Sequence, residues 1–282
     1  MPSATIELLK NGTDANNTDP YRHGNVIVLP NTGDIVVSGD LHGHIRNFQR
    51  IVKFAALADN PARHLVLQEI IHGGPEDNYG GCLSFGLLYE AVKLKVAFPH
   101  RVHFMLANHD TSFISDSEVM KNGKEMNAAM KSAMIRKYSH DFDGVEIAFK
   151  QFLFSQPLGM RCANRIWISH SLPGNREVDS FDPEVLHRPL QIADLNRPNS
   201  VYNFTWGRRH NRQTLDKMAK ILDVDIFVLG HQAQLTGFMV QDNDLLILAS
   251  DHNHGMILKF DLDRNYDMPQ LVDNIVPLAS IA

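Results

Sequence analysis

The sequence has little cysteine and no long apolar run. Only Cys82 and Cys162 are present, so the chain cannot build a disulfide framework or a zinc site made of cysteines, and a cytoplasmic location is expected. No apolar stretch approaches the about 20 residues that a membrane span needs. The N-terminus lacks the basic and then apolar pattern of a signal peptide. We therefore expect no membrane partner.

The formal net charge of -5 argues against a broad nucleic-acid-binding surface. The chain shows no internal repeat, low-complexity tract or interdomain linker. Its 282 residues, 44% of them hydrophobic, suffice for one large α/β domain. We expect a single domain over residues 1–282, and the oligomeric state stays open.

Histidine is abundant, with 15 residues, and it is the commonest metal ligand. The most informative stretch is residues 35–48, IVVSGDLHGHIRNF. An apolar β-branched run predicts a buried strand, Gly39 ends it, and Asp40 and His42 follow on the turn. The next apolar side chains recur at helical spacing. Open α/β sheets bind ligands at such a point, so Asp40 and His42 are candidates to bind one cation.

The same arrangement recurs along the chain. Further strands are predicted at residues 63–67, 102–106, 165–169 and 225–229. Each is followed by a metal-competent group, namely Glu69, Asn108 with His109, His170, and His231. A lone histidine after a strand is more often a hydrogen-bonded loop residue than a ligand. An ordered series instead favours convergence on one crevice, because the carboxyl ends of neighbouring strands lie side by side.

The remaining segments predict a mixed architecture. Residues 1–32 have the composition of an irregular lead-in with one short strand at 26–29. Residues 115–156 have helical spacing and predict a helical insertion or cap. Residues 245–250 and 256–260 have the pattern of a β-hairpin.

The candidate ligands supply oxygen and imidazole nitrogen without thiolate, which suits manganese, iron or zinc. They are too many for one ion and about enough for two. Two cations about 3.5–4 Å apart clamp the attacking and leaving oxygens of a phosphoryl displacement and acidify a shared water.

The ordered motifs resemble those of the calcineurin-like metallophosphoesterases, closest to the serine/threonine protein phosphatase branch. The motifs are Asp40-x-His42, a carboxylate after the second strand, Asn108-His109-Asp110, His170 and Gly230-His231. The resemblance implies an α+β sandwich of mixed sheets flanked by helices. It also implies two divalent or trivalent metal ions and a metal-bridging hydroxide that hydrolyses a phosphomonoester.

The resemblance also implies roles for individual residues. The first metal would be held by Asp40 and His42. The second would be held by Asn108, His170 and His231. His109 would be the general acid that protonates the leaving oxygen.

One motif departs from the family pattern Gly-Asp-x-x-Asp-x-Gly, because residues 68–74 have the sequence QEIIHGG. Glu69 stands in place of the bridging aspartate and is expected to be a ligand. His72 replaces the aspartate that orients the general acid, and its role stays open between a ligand, a partner of the site or substrate, and a loop residue. Gly73 lies where protein phosphatases carry a phosphate-binding arginine.

Substrate-binding candidates are fewer. Arg208 and Arg209 either bind a phosphate oxygen or form a solvated basic pair. His254 either lines the mouth of the site or lies on the surface. Asp110 either orients His109 or caps the segment that follows it.

The leading hypothesis is a phosphomonoesterase that acts on a phosphorylated small molecule or protein. The alternatives are a dinucleoside polyphosphate or phosphodiester hydrolase, and a non-catalytic metal-binding module that retains the fold. The altered QEIIHGG stretch is the main support for the last of these.

Overall fold

The computed structural model describes residues 4–282. The helices are α1 (Ala4–Asn17), α2 (Ile45–Ala55), α3 (Phe85–Ala97), α4 (Asn108–Ile114), α5 (Met126–Tyr138), α6 (Phe142–Phe154), α7 (Ser200–Trp206), α8 (Arg212–Leu222) and α9 (Met268–Val272). The strands are β1 (Arg22–His23), β2 (Val26–Leu29), β3 (Asp34–Asp40), β4 (Arg63–Gln68), β5 (Val102–Met105), β6 (Met120–Lys121), β7 (Lys124–Glu125), β8 (Gly159–Cys162), β9 (Ile166–Ser169), β10 (Ile226–Leu229), β11 (Phe238–Gln241), β12 (Leu245–Leu248), β13 (Met256–Asp261) and β14 (Ile275–Pro277). Among these residues, no helix is both long and apolar enough to cross a membrane.

The strands form two mixed sheets and a small hairpin. One sheet has the order β1-β2-β8-β9-β10-β12-β11, the other has the order β14-β13-β3-β4-β5, and β6 pairs only with β7. Strands β3, β4 and β5 run parallel, as do β9, β10 and β12. The predicted fold class, mixed sheets flanked by helices, is confirmed.

The core lies in two layers. Between the sheets, Val37 and Val66 of one sheet pack with Ile168 and Val228 of the other. The second layer packs the sheets against helices, with apolar side chains such as Ile51 of α2 and Phe85 of α3. Because β3 to β5 are buried on both faces, they have continuous apolar runs that a sequence pattern detects readily.

The two sheets approach each other closely where β3 and β12 end. The Gly39 N–H donates to Ser250 Oγ at 2.9 Å, and Asp40 forms a bridge with Ala249. A Cβ atom at Gly39 would lie 2.2 Å from the Leu248 carbonyl oxygen, so only glycine fits. This junction brings the strand ends of both sheets to one edge of the molecule.

Helix α1 contradicts the expectation that residues 1–32 are mostly irregular. Its glycine and asparagine residues are poor helix formers, but the helix packs on α3 and α6. A Cβ atom at Gly12 would lie 2.6 Å from Val92 Cγ1, so the glycine permits close packing. Tertiary burial outweighs local propensity here. Residues 1–3 lie outside the described residues, and strand β2 has the predicted bounds.

The predicted hairpin of residues 245–250 and 256–260 is wrong. Strand β12 pairs with β10 and β11 in one sheet, whereas β13 pairs with β3 and β14 in the other. The segment between them crosses from sheet to sheet and is held by Asn47, whose side-chain amide donates to the carbonyl oxygens of Ser250 and His252. A local pattern of two apolar runs around a turn does not specify which sheet each run joins.

Residues 115–156 contain α5, α6 and the hairpin of β6 and β7. The turn of that hairpin is Asn122-Gly123, and both residues have positive φ angles, of 52° and 77°. Asn-Gly in this conformation favours a tight β-turn between paired strands. That these residues are a cap, and that the chain is one domain, stay predictions.

Candidate metal centre

The polar groups predicted after successive strands meet at the edge where the two sheets join. They are Asp40 at the end of β3, Glu69 after β4, Asn108 and His109 after β5, His170 after β9, and His231 after β10. All are buried. The parallel strands β3 to β5 of one sheet and the parallel strands β9 and β10 of the other therefore contribute to a single crevice.

A first group of possible ligands consists of Asp40, His42 and Glu69, whose ligand atoms lie within 4.8 Å of one another. The distance from His42 Nε2 to Glu69 Oε2 is 3.2 Å. The other ring nitrogen, Nδ1, lies 3.1 Å from the Ile71 carbonyl oxygen, so donation from Nδ1 leaves Nε2 free to bind a cation. The His231 N–H donates to Asp40 Oδ1 at 2.9 Å and fixes that carboxylate.

A second group consists of Glu69, His170 and His231, again with ligand atoms within 4.8 Å of one another. The side-chain oxygen of Asn108 joins it, because Asn108 Oδ1 lies 2.7 Å from His170 Nε2 and 2.9 Å from His231 Nδ1. Glu69 Oε1 lies 3.6 Å from His170 Nε2. Glu69 thus belongs to both groups, with one carboxylate oxygen directed at each.

The electrostatics of the crevice fit divalent cations. Burial raises the pKa of Asp40 to about 6. Burial, and then repulsion from Asp40, raise the pKa of Glu69 well above its usual value. Burial also lowers the pKa of His42, His170 and His231. Buried carboxylates beside neutral imidazoles with lone pairs form a suitable donor set for a metal ion.

Three of these possible ligands have a backbone conformation that is rare for their residue types. The φ angles of His42, Glu69 and His231 are 43°, 39° and 67°. Such conformations cost about 1–3 kcal/mol each and cluster at functional sites. The strain is consistent with a backbone held in place to aim side chains, and no sequence pattern marked it.

His109 lies beside the two groups but belongs to neither. Its Nδ1 atom is 2.8 Å from His72 Nδ1, and its backbone N–H donates to Glu69 Oε1 at 3.3 Å. In the part of the chain that the structure describes, His109 Nε2 has no hydrogen-bond partner. Burial, and then the cations Lys121 and Arg208, lower the pKa of His109 to about 3.

His72 is fully buried and contacts His109 rather than either metal group. Its backbone N–H donates to Ser84 Oγ at 2.9 Å. Its Nε2 atom is buried and has no hydrogen-bond partner in residues 4–282. Among the roles that the sequence leaves open for His72, this position favours that of a partner, which contacts His109.

The other predicted site residues lie in different environments. Asp110 accepts the Ala107 N–H at 3.1 Å and thereby caps α4, which favours the capping interpretation, and burial raises its pKa to about 7. Arg208 lines the crevice. Arg209 and His254 are exposed and do not line it.

Two further charged residues, which no sequence motif marked, also line the crevice, a cavity of about 230 Å³. Lys121 reaches it from the hairpin, with Nζ 3.5 Å from the His72 carbonyl oxygen. Asp251 follows β12, as Asp40 ends β3. Asp251 could have been found from the sequence, because it follows a predicted strand. The hairpin that carries Lys121 could have been found from its Asn-Gly turn.

Comparison with known proteins identifies the family. Residues 33–235 match the family model of the calcineurin-like phosphoesterases. The chain belongs to this family. No curated protein matches it. As a calcineurin-like phosphoesterase, the chain is a phosphoric ester hydrolase, and its family implies divalent metal ions.

Solved phosphatase structures share the calcineurin-like fold of this chain. A serine/threonine phosphatase from Saccharomyces cerevisiae with similarity to human phosphatase PP5 has a TM-score of 0.70 at 13% identity, covering 99% of this chain and 93% of that one. A cold-active protein-tyrosine phosphatase from a psychrophilic Shewanella has a TM-score of 0.55 at 14% identity, covering 90% of this chain and 82% of that one. At these identities the likeness concerns the fold.

Proposed function

We propose that this chain hydrolyses phosphomonoesters with two metal ions, held by the two groups of ligands that share Glu69. The observation that carries the proposal is this sharing, because a carboxylate with one oxygen in each group is suited to join two cations. The longer side chain of glutamate reaches both groups, so the change from the family's aspartate is compatible with a bridging role. Manganese, iron and zinc suit the oxygen and imidazole ligands.

The ions would supply positive charge to the phosphoryl oxygens and lower the pKa of a water molecule. Asp40 and His42 would hold one ion, and Asn108, His170 and His231 the other. The neutral state of the imidazoles, favoured by burial, leaves their lone pairs available.

His109 is the proposed general acid. Its Nδ1 atom contacts His72, and its Nε2 atom faces no described hydrogen-bond partner, so Nε2 is available to protonate the leaving oxygen. This role needs no ligation, in agreement with the absence of His109 from both groups in the described part of the chain.

Lys121 and Arg208 are the proposed phosphate-binding cations. Both line the crevice. Arg208 Nε donates to His231 Nε2 at 2.9 Å, while the Trp206 carbonyl oxygen lies 3.3 Å from the same nitrogen. When His231 uses Nδ1 as a ligand, its proton resides on Nε2 and is donated to Trp206. Arg208 Nε is then free to bind a phosphoryl oxygen.

Metal analysis and a phosphatase assay together test the proposal. The chain, purified without chelator and supplied with manganese, is expected to bind two ions and to hydrolyse an aryl phosphate monoester faster than the corresponding diester. Two bound ions without turnover of either ester would favour the non-catalytic metal-binding module. Faster turnover of the diester or of a dinucleoside polyphosphate would favour those alternatives.

A further inference from the structure

A second basic cavity adjoins the candidate metal centre. It has a volume of about 430 Å³ and shares Arg208 with the crevice. Its other cationic residues are Arg176 and Arg197, against one carboxylate, Glu177. The chain as a whole is acidic, so three guanidinium groups around one cavity are a local reversal of its charge.

These three arginines have no anionic partner. Within residues 4–282, none of them forms an ion pair with a carboxylate. Of the other exposed arginines in this range, Arg136 and Arg212 form such pairs, whereas Arg46, Arg209 and Arg264 do not. Unpaired guanidinium groups gathered beside a phosphoryl site are well suited to bind a further phosphate, because their N–H groups match phosphate oxygens bidentately.

The wall of the cavity is fixed relative to the metal centre. Tyr202 and Trp206 stack on each other, with ring centroids 5.4 Å apart, and Trp206 Nε1 donates to Thr111 Oγ1 of α4 at 3.3 Å. Arg197 lies over the Tyr202 ring at 5.0 Å. Because Trp206 and Arg197 both pack against Tyr202, this ring is held in place as part of the cavity wall.

We propose that this cavity is a second phosphate subsite, which binds a non-reacting phosphate group of a small bisphosphorylated substrate. The inference rests on the proposed phosphomonoesterase function. A nucleoside bisphosphate and a sugar bisphosphate carry the same chemistry. The cavity volume lies within the about 300–1,000 Å³ of pockets for small molecules, which favours a small substrate over an acidic phosphopeptide.

The test compares substrates that differ only in the second phosphate. The pairs are adenosine 3′,5′-bisphosphate with adenosine 3′-phosphate, and fructose 1,6-bisphosphate with fructose 6-phosphate. The metal-loaded wild type is expected to show a kcat/KM for the bisphosphate of at least one pair about tenfold above that for its monophosphate, the effect of one charge-assisted hydrogen bond. The pair that responds identifies the nucleoside or the sugar as the source of the second phosphate.

Arg176→Gln and Arg197→Gln are expected to reduce this ratio to near one. Arg264→Gln is the matched control, because Arg264 is also exposed and lies over a tyrosine ring, Tyr266, at the same 5.0 Å. The control should retain the ratio. An equal ratio in the control and the two variants would overturn the subsite.

A binding measurement separates this proposal from the proposed function. Calorimetric titration of the metal-loaded chain with each pair needs no turnover. Tighter binding of a bisphosphate that depends on Arg197, without hydrolysis of any monoester, would keep the subsite and overturn the phosphomonoesterase. Equal dissociation constants for the bisphosphate and the monophosphate in both pairs would overturn the subsite. Tighter binding seen only for an acidic phosphopeptide, relative to its neutral counterpart, would also overturn it.

Discussion

His72 and His109 face each other through their Nδ1 atoms at 2.8 Å. One ring must donate and the other accept, because each nitrogen either carries a proton or offers a lone pair. Burial, Lys121 and Arg208 disfavour the charged His109 ring, so the extra proton that acid catalysis needs requires a stabilising partner. When both nitrogens of His109 carry protons, His72 accepts from Nδ1. His72 therefore acts through His109 as a positioning residue. A neutral acceptor stabilises an imidazolium less than a carboxylate does.

The first prediction follows from this contact. His72→Phe removes the acceptor and is expected to lower kcat by about 10²-fold or more, within the range for general acid catalysis. His72→Asp restores an acceptor and adds a negative charge, which raises the pKa of His109. In a plot of kcat/KM against pH, the fall in rate on the alkaline side should then occur at a higher pH than in the wild type. A fall on the alkaline side that does not move in His72→Asp would contradict its assignment to His109, and His254→Phe at an exposed histidine is the control.

The second prediction separates the general acid from the ligands. His109→Ala is expected to lower kcat by about 10²–10⁴-fold while both metal ions stay bound, because its ring belongs to neither ligand group. His231→Ala should lose metal as well as activity. Metal content by mass spectrometry, measured beside the rates, checks both. Loss of metal from His109→Ala would mean that His109 is a ligand.

The sequence predicted the parts of the site that follow buried strands. Strands β3, β4, β5, β9 and β10 are short apolar runs, and the first polar groups after them are the ones that converge. Their assignment to two sheets was not predictable, because pairing depends on long-range contacts such as that between Gly39 and Ser250. Helix α1 was missed since burial of Gly12 between helices, not local propensity, stabilises it.

Lys121 was missed for a different reason. It lies on a two-residue strand of a hairpin rather than directly after a buried strand, and it lines one cavity with Gly73 and Gly74. Its neighbour Lys124 lies on the same hairpin but pairs with Glu76 at 2.7 Å. Both glycines have φ angles in the positive range, of 153° and 69°. A Cβ atom at Gly73 would lie 2.4 Å from the His42 carbonyl oxygen, and one at Gly74 would lie 2.3 Å from that of Gly43, so these glycines permit close packing against the segment after β3.

The third prediction uses this pair of lysines. Lys121→Gln removes a cation that lines the crevice and is expected to raise KM for an aryl phosphate about tenfold, by loss of one charge-assisted hydrogen bond. Lys124→Gln removes the same charge from the cross-strand neighbour of Lys121, whose ammonium group pairs with Glu76, and should change KM less than twofold. Steady-state kinetics of the two variants check this. Equal values of KM for both variants would contradict a phosphate-binding role for Lys121.

The fourth prediction concerns the shared carboxylate. Glu69→Gln keeps the shape of the side chain but removes the charge common to both groups, so we expect fewer than one metal ion per chain after dialysis. Glu69→Asp shortens the side chain and should retain more metal than Glu69→Gln. Glu90→Gln is the control, because Glu90 is exposed and pairs only with Lys93 in the described structure. Full occupancy in Glu69→Gln would show that Glu69 is not shared between the ions.

The fifth prediction concerns stability far from the site. His64 is buried near the start of β4, with Nδ1 3.1 Å from His103 Nε2. Burial, and then His103, lower the pKa of His64 to about 3, whereas an unfolded histidine titrates near about 6.5. Between these values the unfolded chain binds a proton that the folded chain does not. The contribution to stability is therefore complete above about pH 6.5 and is lost as the pH falls towards 3.

His64→Asn should remove the difference in proton binding between the unfolded and the folded chain at this position. The free energy of unfolding of the metal-loaded wild type, measured with urea between pH 7 and pH 5, is expected to fall as the pH falls. The variant should show a slope smaller by up to about 1.4 kcal/mol per pH unit, the value for one proton. His140→Asn, at a side chain that is 90% exposed, should keep the wild-type slope. If His64→Asn and His140→Asn have the same slope, then His64 takes up its proton in the folded chain, and burial does not hold it neutral.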